Sequence, residues 1–157
     1  ITKDVEDLRD GLALPGMAIL QFAFEPTTAG FGQGQYLPHN HRRRLVVYTG
    51  THDNDTIAGW WAVLEEPIRD HVRRYLNSDG SEVHWDLIRA ALASVADTAM
   101  VPIQDVLGLG TEACMNRPGT MRGNWVWRLA RDALTPALAA RLRELSSLYG
   151  RFPHHAG

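Results

Sequence analysis

His52, Asp53, Asn54 and Asp55 stand in succession within YTGTHDNDTIAGWW (residues 48–61), between an apolar run and a pair of tryptophans. Four polar side chains in a row cannot all be buried without partners, and burying an unpaired charge is costly. The group is therefore either a solvated turn or a site. A histidine beside an aspartate fits a metal centre only if further ligands follow at set spacing. His39, His41, His71 and His84 show no such pairing, and His154 and His155 fall in a polar tail, so no metal is expected. Nucleophilic serine chemistry lacks its G-x-S-x-G turn, and Cys114 lies in a Gly-rich stretch with no histidine near it in sequence.

Carbohydrate chemistry fits the cluster better. Breaking a glycosidic bond takes carboxyl groups with distinct roles, helped by hydrogen bonds to sugar hydroxyls that tighten in the transition state. His52, Asp53 and Asn54 are suitable donors and acceptors, and Trp60 and Trp61 offer faces of the kind that stack on sugar rings. A plainer reading stays open for part of the group: Asn54 as a turn residue and Asp55 as a cap on the following helix.

The elements that must position these residues follow from periodicity and punctuation. Thr2 can cap a helix with Val5, Leu8 and Leu12 at helical spacing, ended by Leu14, Pro15 and Gly16. Met17 to Phe24 reads as a nearly all-apolar strand, and Leu45 to Thr49 as a second, separated by a long Gly/Pro-punctuated loop over 25–44. Asp55 or Thr56 caps a helix through Leu64, and Pro67 opens another at its first turn. A helical stripe over 82–98, a third short strand over 100–103 and two further helices near 124–133 and 135–149 complete the pass. Alternating strands and helices predict an α/β chain with parallel strands and right-handed crossovers. Polar residues gather at the strand ends (Glu25, His52 to Asp55, Gln104 and Asp105), where α/β folds place their sites. A closed barrel needs eight strands and about 250 residues. The chain offers three strands.

Composition bounds the reading further. The 157 residues are 45% hydrophobic and 22% charged, with 16 basic and 18 acidic side chains for a net charge of 16 − 18 = −2. Arg42, Arg43 and Arg44 form the only block of one sign, which argues against a nucleic-acid platform. No apolar run approaches the roughly 20 residues of a membrane span, and no signal peptide is apparent. A single cysteine excludes an internal disulfide and makes a cytoplasmic protein the default expectation. The chain opens on Ile1 directly before a helix start, the pattern of one segment, 1–157, cut from something larger.

Residues 48–61 resemble the signature of the 4-α-glucanotransferases, the amylomaltase or disproportionating-enzyme family. Three more segments resemble it in the same order: ITKDVEDLRDGLALPGMAILQFAF (1–24), VPIQDVLGLGTEACMNRPGT (101–120) and GNWVWRL (123–129). The resemblance implies the C-terminal portion of a (β/α)₈ barrel, strands six to eight with their helices, which needs no cofactor and moves α-1,4-glucan segments to an acceptor sugar with retention. It gives Asp53 the role of the carboxylate that stabilises the distorted sugar, with His52 bonding the same sugar. Asn54 and Asn116 become substrate contacts, Phe24 lines the acceptor side, and Gln104 is carried over as a further contact.

The family's acid/base glutamate belongs to an E-D-L-G segment and its nucleophilic aspartate lies further upstream. Both are expected ahead of Ile1, so the segment alone is expected to be inactive, while its open sheet edges favour association with the missing half or with itself. An α-amylase-like hydrolase and a non-catalytic glucan-binding fragment are the competing readings. DNDTIAGWW together with MNRPGT fits the transferases better than the hydrolases.

Overall fold

Lys3–Gly11 forms helix α1, as the Val5, Leu8 and Leu12 spacing requires, although the Thr2 hydroxyl makes no capping bond. The computed structural model describes residues 2–26 and 34–152; residues 27–33 of the 25–44 loop, together with His154 and His155, lie outside them. None of α1 is buried: Val5, Leu8 and Leu12 are 54%, 64% and 61% exposed, so its apolar stripe stands uncovered among the described residues.

Three strands, β1 (Gly16–Ile19), β2 (Leu45–Tyr48) and β3 (Thr98–Met100), form one parallel sheet in the order β1-β2-β3. Ala18 pairs with Val47, and Val47 with Ala99; one residue on, Ile19 pairs with Tyr48, and Tyr48 with Met100. Because side chains alternate along a strand, Ala18, Val47 and Ala99 share the face packed beneath the helices. Met17 and Met100 point to the other face and remain 57% and 49% exposed. The sheet is open.

Helices α2 (Ile57–Val63), α3 (Glu66–Leu76) and α4 (Val83–Ala93) cover the sheet. Val83, Leu87 and Ala91 recur at every fourth position and put one stripe of α4 into the main core with Leu20, Phe24, Val47, Ile57 and Val72. Trp85 and Ile88 turn the opposite way, into a second cluster with Val106 of α5 (Ile103–Val106) and Leu145 of α6 (Pro136–Leu148). Buried on two flanks, α4 is the central post of the domain.

The structure shortens several expected elements. The first strand ends at Ile19, and Leu20–Phe24 turns as a 3₁₀ helix, because Gln21 folds inward to donate its amide to Asp55 O at 2.7 Å. The α4 helix stops at Ala93, where the Ser94 hydroxyl accepts from Ala96 N. Pro102 follows β3 after one residue, Val101, and precedes α5, so Gln104 and Asp105 sit on α5 rather than at a strand end. The helix expected near 124–133 does not form. Gly123 and Trp125 take left-handed φ values of 81° and 63°, and Trp125 N donates to Met115 O at 2.7 Å. That tie holds the segment as an irregular strap across the end of the sheet.

Candidate active site

The loop between β2 and α2 carries the polar cluster. Its entry is a hydrogen-bonded turn: Asn54 Oδ1 accepts from Thr51 N at 2.9 Å and from Thr51 Oγ1 at 2.7 Å, while Asn54 N returns to Thr51 O at 3.2 Å. Its exit is a helix cap, the Thr56 hydroxyl accepting from Gly59 N at 3.1 Å. Asp55 accepts from Thr56 N and from Thr111 Oγ1, tying the start of α2 to the loop after α5. Gly59 permits that closeness: a Cβ there would run into Thr111 Oγ1 and lie 2.6 Å from Asp55 Oδ1. Asp55 is thus a structural tie, and the cap of α2 is Thr56 rather than Asp55.

His52 and Asp53 are what the turn presents to solvent, with about half of each side chain exposed. His52 Nε2 lies 3.3 Å from Asp53 Oδ1. Asn116, from the MNRPGT segment, donates its amide to the same Oδ1 at 2.6 Å, and its backbone N–H donates to His52 O at 3.0 Å. Both side-chain contacts fall on one carboxylate oxygen. Among the described residues Asp53 Oδ2 has no hydrogen-bond partner. The Trp125 ring lies 5.1 Å from the His52 ring, tilted by 39°, and walls the histidine on its far side. Cys114 packs between the two segments, its thiol 3.3 Å from Asn54 O and 3.2 Å from Asn116 O.

This apparatus borders a cavity of about 700 Å³ on the uncovered face of the sheet, toward the ends of the strands. Met17, Ile19, Phe22, Tyr48 and Met100 make its apolar floor, and His52, Asp53 and Asn54 its polar rim. Asp53 is the only carboxylate lining it among the described residues. An apolar floor with a few convergent polar groups is the ordinary make-up of a small-molecule site. No group of three or more His, Cys, Asp or Glu side chains able to hold a metal occurs among the described residues.

Of the residues singled out from sequence, His52, Asp53 and Asn54 line this cavity, and Asn116 joins them through its bonds to Asp53 and His52. Phe24 does not. It is 1% exposed and packs edge-on against Tyr75 and His71 in the main core, so its expected place on the acceptor side is corrected. A continued strand would keep Phe22 and Phe24 on one face; the 3₁₀ turn points them apart, so that Phe22 lines the cavity while Phe24 stays in the core. Gln104 is buried, donates to Ala113 O at 3.3 Å and lines a smaller adjoining cavity of about 200 Å³ behind the loop. Sequence reasoning missed Phe22, Tyr48 and Trp125; the strand pairing of Tyr48 with Met100 and the left-handed turn at Trp125 bring them in.

Known proteins share the sequence and the architecture of this chain. A family model described as 4-alpha-glucanotransferase matches residues 1–135. The chain is 51% identical over 156 residues to the chloroplastic/amyloplastic 4-alpha-glucanotransferase of Oryza sativa subsp. japonica, covering 96% of this chain and 25% of that protein. It is 45% identical over 157 residues to the 4-alpha-glucanotransferase of Synechocystis sp., covering 99% of this chain and 30% of that one. An amylomaltase from Streptococcus agalactiae, solved in complex with acarbose, superposes with a TM-score of 0.91 at 33% identity, over 98% of this chain and 30% of the other. The chain therefore spans about a quarter to a third of the length of these relatives. Its three parallel strands and flanking helices match part of the amylomaltase (β/α)₈ barrel, with the sheet left unclosed. The matched model, the extent of identity and the shared architecture together establish that this chain belongs to the 4-alpha-glucanotransferase family.

Proposed function

We propose that this chain supplies one wall of the bond-breaking subsite of a 4-alpha-glucanotransferase acting on α-1,4-glucans, with Asp53 as the carboxylate that stabilises the oxocarbenium-like sugar. The observation that carries this reading is the one-sided tethering of Asp53. Asn116 and His52 fix its Oδ1, while Oδ2 has no hydrogen-bond partner among the described residues, beside an apolar-floored cavity. A carboxylate so held is preorganised, and fixed charge aimed at developing opposite charge is the largest single contribution in many enzymes.

The apolar floor suits the C–H faces of a glucose ring, and His52 and the Asn116 side-chain oxygen remain as hydrogen-bonding groups for its hydroxyls. Asn54 shapes the turn, since its side-chain oxygen already accepts twice from Thr51. A retaining reaction needs a nucleophile and an acid/base besides this group. Only one carboxylate lines the cavity among the described residues, which supports glucan binding without turnover by the chain alone. Its lone cysteine supports a reducing compartment, the cytosol in the reading from sequence.

The test is Asp53→Asn in a chimera that carries this chain in place of the matching segment of the Synechocystis relative. With maltotriose as substrate, kcat is expected to fall by about a hundredfold or more. A kcat within about threefold of the parent overturns the role given to Asp53.

A further inference from the structure

Asp105 is 1% exposed, and it is an acid with no basic partner among the described residues. Burial pushes its carboxyl above the ordinary value, and the neighbouring charge of Asp55 adds to that push. Buried charges are normally paired with opposite charge, because water is lost without compensation otherwise. What holds Asp105 instead is a pair of short hydrogen bonds. Thr49 Oγ1 donates to its Oδ2 at 2.6 Å and Ile57 N donates to its Oδ1 at 2.8 Å.

The positions of those donors are informative. Thr49 is the first residue after β2, and Ile57 is the first residue of α2. Everything between them, residues 50–56, is the loop that presents His52 and Asp53. The Thr49 backbone also donates to Met100 O at 3.3 Å, so the clamp stands on the β2–β3 pairing. Within the loop, Gln21 holds Asp55 O and Thr111 holds the Asp55 side chain. Neither of those ties spans both ends. Asp105 does.

We propose that Asp105 is a positioning residue for the reaction, clamping the two ends of the His52–Asp53 loop so that Asp53 is presented at one fixed place on the cavity. The clamp is geometric, and the inference about turnover rests on the glucan-transfer reading above. Geometry also predicts which substitution the site tolerates. Asparagine has the shape of aspartate; its Oδ1 can accept from Ile57 N while its amide donates to the Thr49 hydroxyl, which accepts as readily as it donates. Asp105→Asn therefore keeps both ties without the charge, and Asp105→Ala removes both.

Amide hydrogen exchange on the 157-residue chain tests the clamp without reference to activity. In Asp105→Ala the Ile57 amide and the amides of residues 50–56 are expected to exchange about tenfold faster or more, while Leu87 and Ile88 of α4 keep their protection. In Asp105→Asn the Ile57 rate is expected to stay within about threefold of the parent. Unchanged exchange in Asp105→Ala, or loss of protection equally in α4 and the loop, overturns the proposal. Should Asp105→Ala fail to fold, Thr49→Val removes the β2 tie alone, and the amides of residues 50–56 are expected to exchange faster while α4 keeps its protection; unchanged exchange there overturns the proposal. In the chimera, Asp105→Ala is expected to lower kcat by about a hundredfold with little change in KM, and Asp105→Asn to restore most of it. A rise in KM at unchanged kcat, or an Asp105→Asn variant as impaired as the alanine, overturns the positioning role. A parent chimera with no transfer activity counts against the glucan-transfer reading, and the exchange measurement still decides the clamp.

Discussion

The side-chain amide of Asn116 meets Oδ1 of Asp53 at 2.6 Å across 63 residues of sequence, and the Asn116 backbone secures the carbonyl of His52 at 3.0 Å. One residue of the MNRPGT segment thus grips both members of the His52–Asp53 pair. The two most distinctive segments of the chain are parts of one device.

Removing that grip has a graded consequence. Asn116→Ala leaves Asp53 with His52 alone, and a lost hydrogen bond to a charged group costs about 1.5–3 kcal/mol. In the chimera, kcat is expected to fall by at least about tenfold, with a smaller loss than in Asp53→Asn. Asn116→Asp, which sets a second carboxylate against the first, is expected to be worse than the alanine. Steady-state kinetics on maltotriose checks the order, and an alanine variant with parental kcat contradicts it.

Two phenylalanines two residues apart are expected to separate stability from binding. Phe24→Ala opens the main core and is expected to cost about 3–5 kcal/mol in denaturant unfolding. Phe22 lines the cavity and touches Tyr36 edge-on at 5.8 Å. Phe22→Ala is expected to change stability by less than about 1 kcal/mol but to weaken maltotriose binding to the chain, measured by calorimetry. The reverse pattern contradicts the assignment of Phe22 to the site and Phe24 to the core.

Acid sensitivity follows from the histidines. Burial holds His41, His71 and His84 below the ordinary histidine value. For His41 the bond from Nε2 to Tyr36 O at 2.8 Å opposes that shift without cancelling it. The folded state favours the neutral ring, whereas the unfolded chain takes up its proton near pH 6.5. Stability is therefore fully present above about pH 6.5 and is lost as the pH falls from there toward the lower folded-state values. Glu82, held low by the Arg141 guanidinium at 2.7 Å, adds to the loss at more acid pH. Melting temperatures across about pH 5–7.5 are expected to decline toward acid, and a flat profile contradicts the assignment.

Association is the last expectation. Met17 and Met100 on the open sheet face, with Val5, Leu8 and Leu12 on α1, leave apolar surface that monomers rarely carry. The isolated chain is expected to bind an apolar dye and to sediment with a mass that rises with concentration. A monomer that ignores the dye over the accessible range contradicts this.

Much of this was written in the linear chain. Strand and helix types came from period: Val83, Leu87 and Ala91 at every fourth position, and the apolar run at Leu45 to Tyr48. A cap at Asp55 or Thr56, the parallel pairing of the strands and the polar cluster at the exit of β2 followed from residue chemistry alone. So did the choice of His52 and Asp53, since four adjacent polar groups at a strand exit restrict what a chain can do with them. Long-range contact decided the rest. The 3₁₀ turn at 20–24 exists because Gln21 finds Asp55 O, a partner 34 residues away, and that turn sends Phe22 to the cavity and Phe24 to the core, side chains that a continued strand would keep on one face. Trp125 leaves the helical pattern because its amide finds Met115 O. Asp105, ordinary in sequence, became the clamp of the site only where β2, α2 and α5 meet. Local periodicity encodes which face an element buries; it carries nothing about which distant hydrogen bond will bend that element, and the placement of these side chains rested on such bonds.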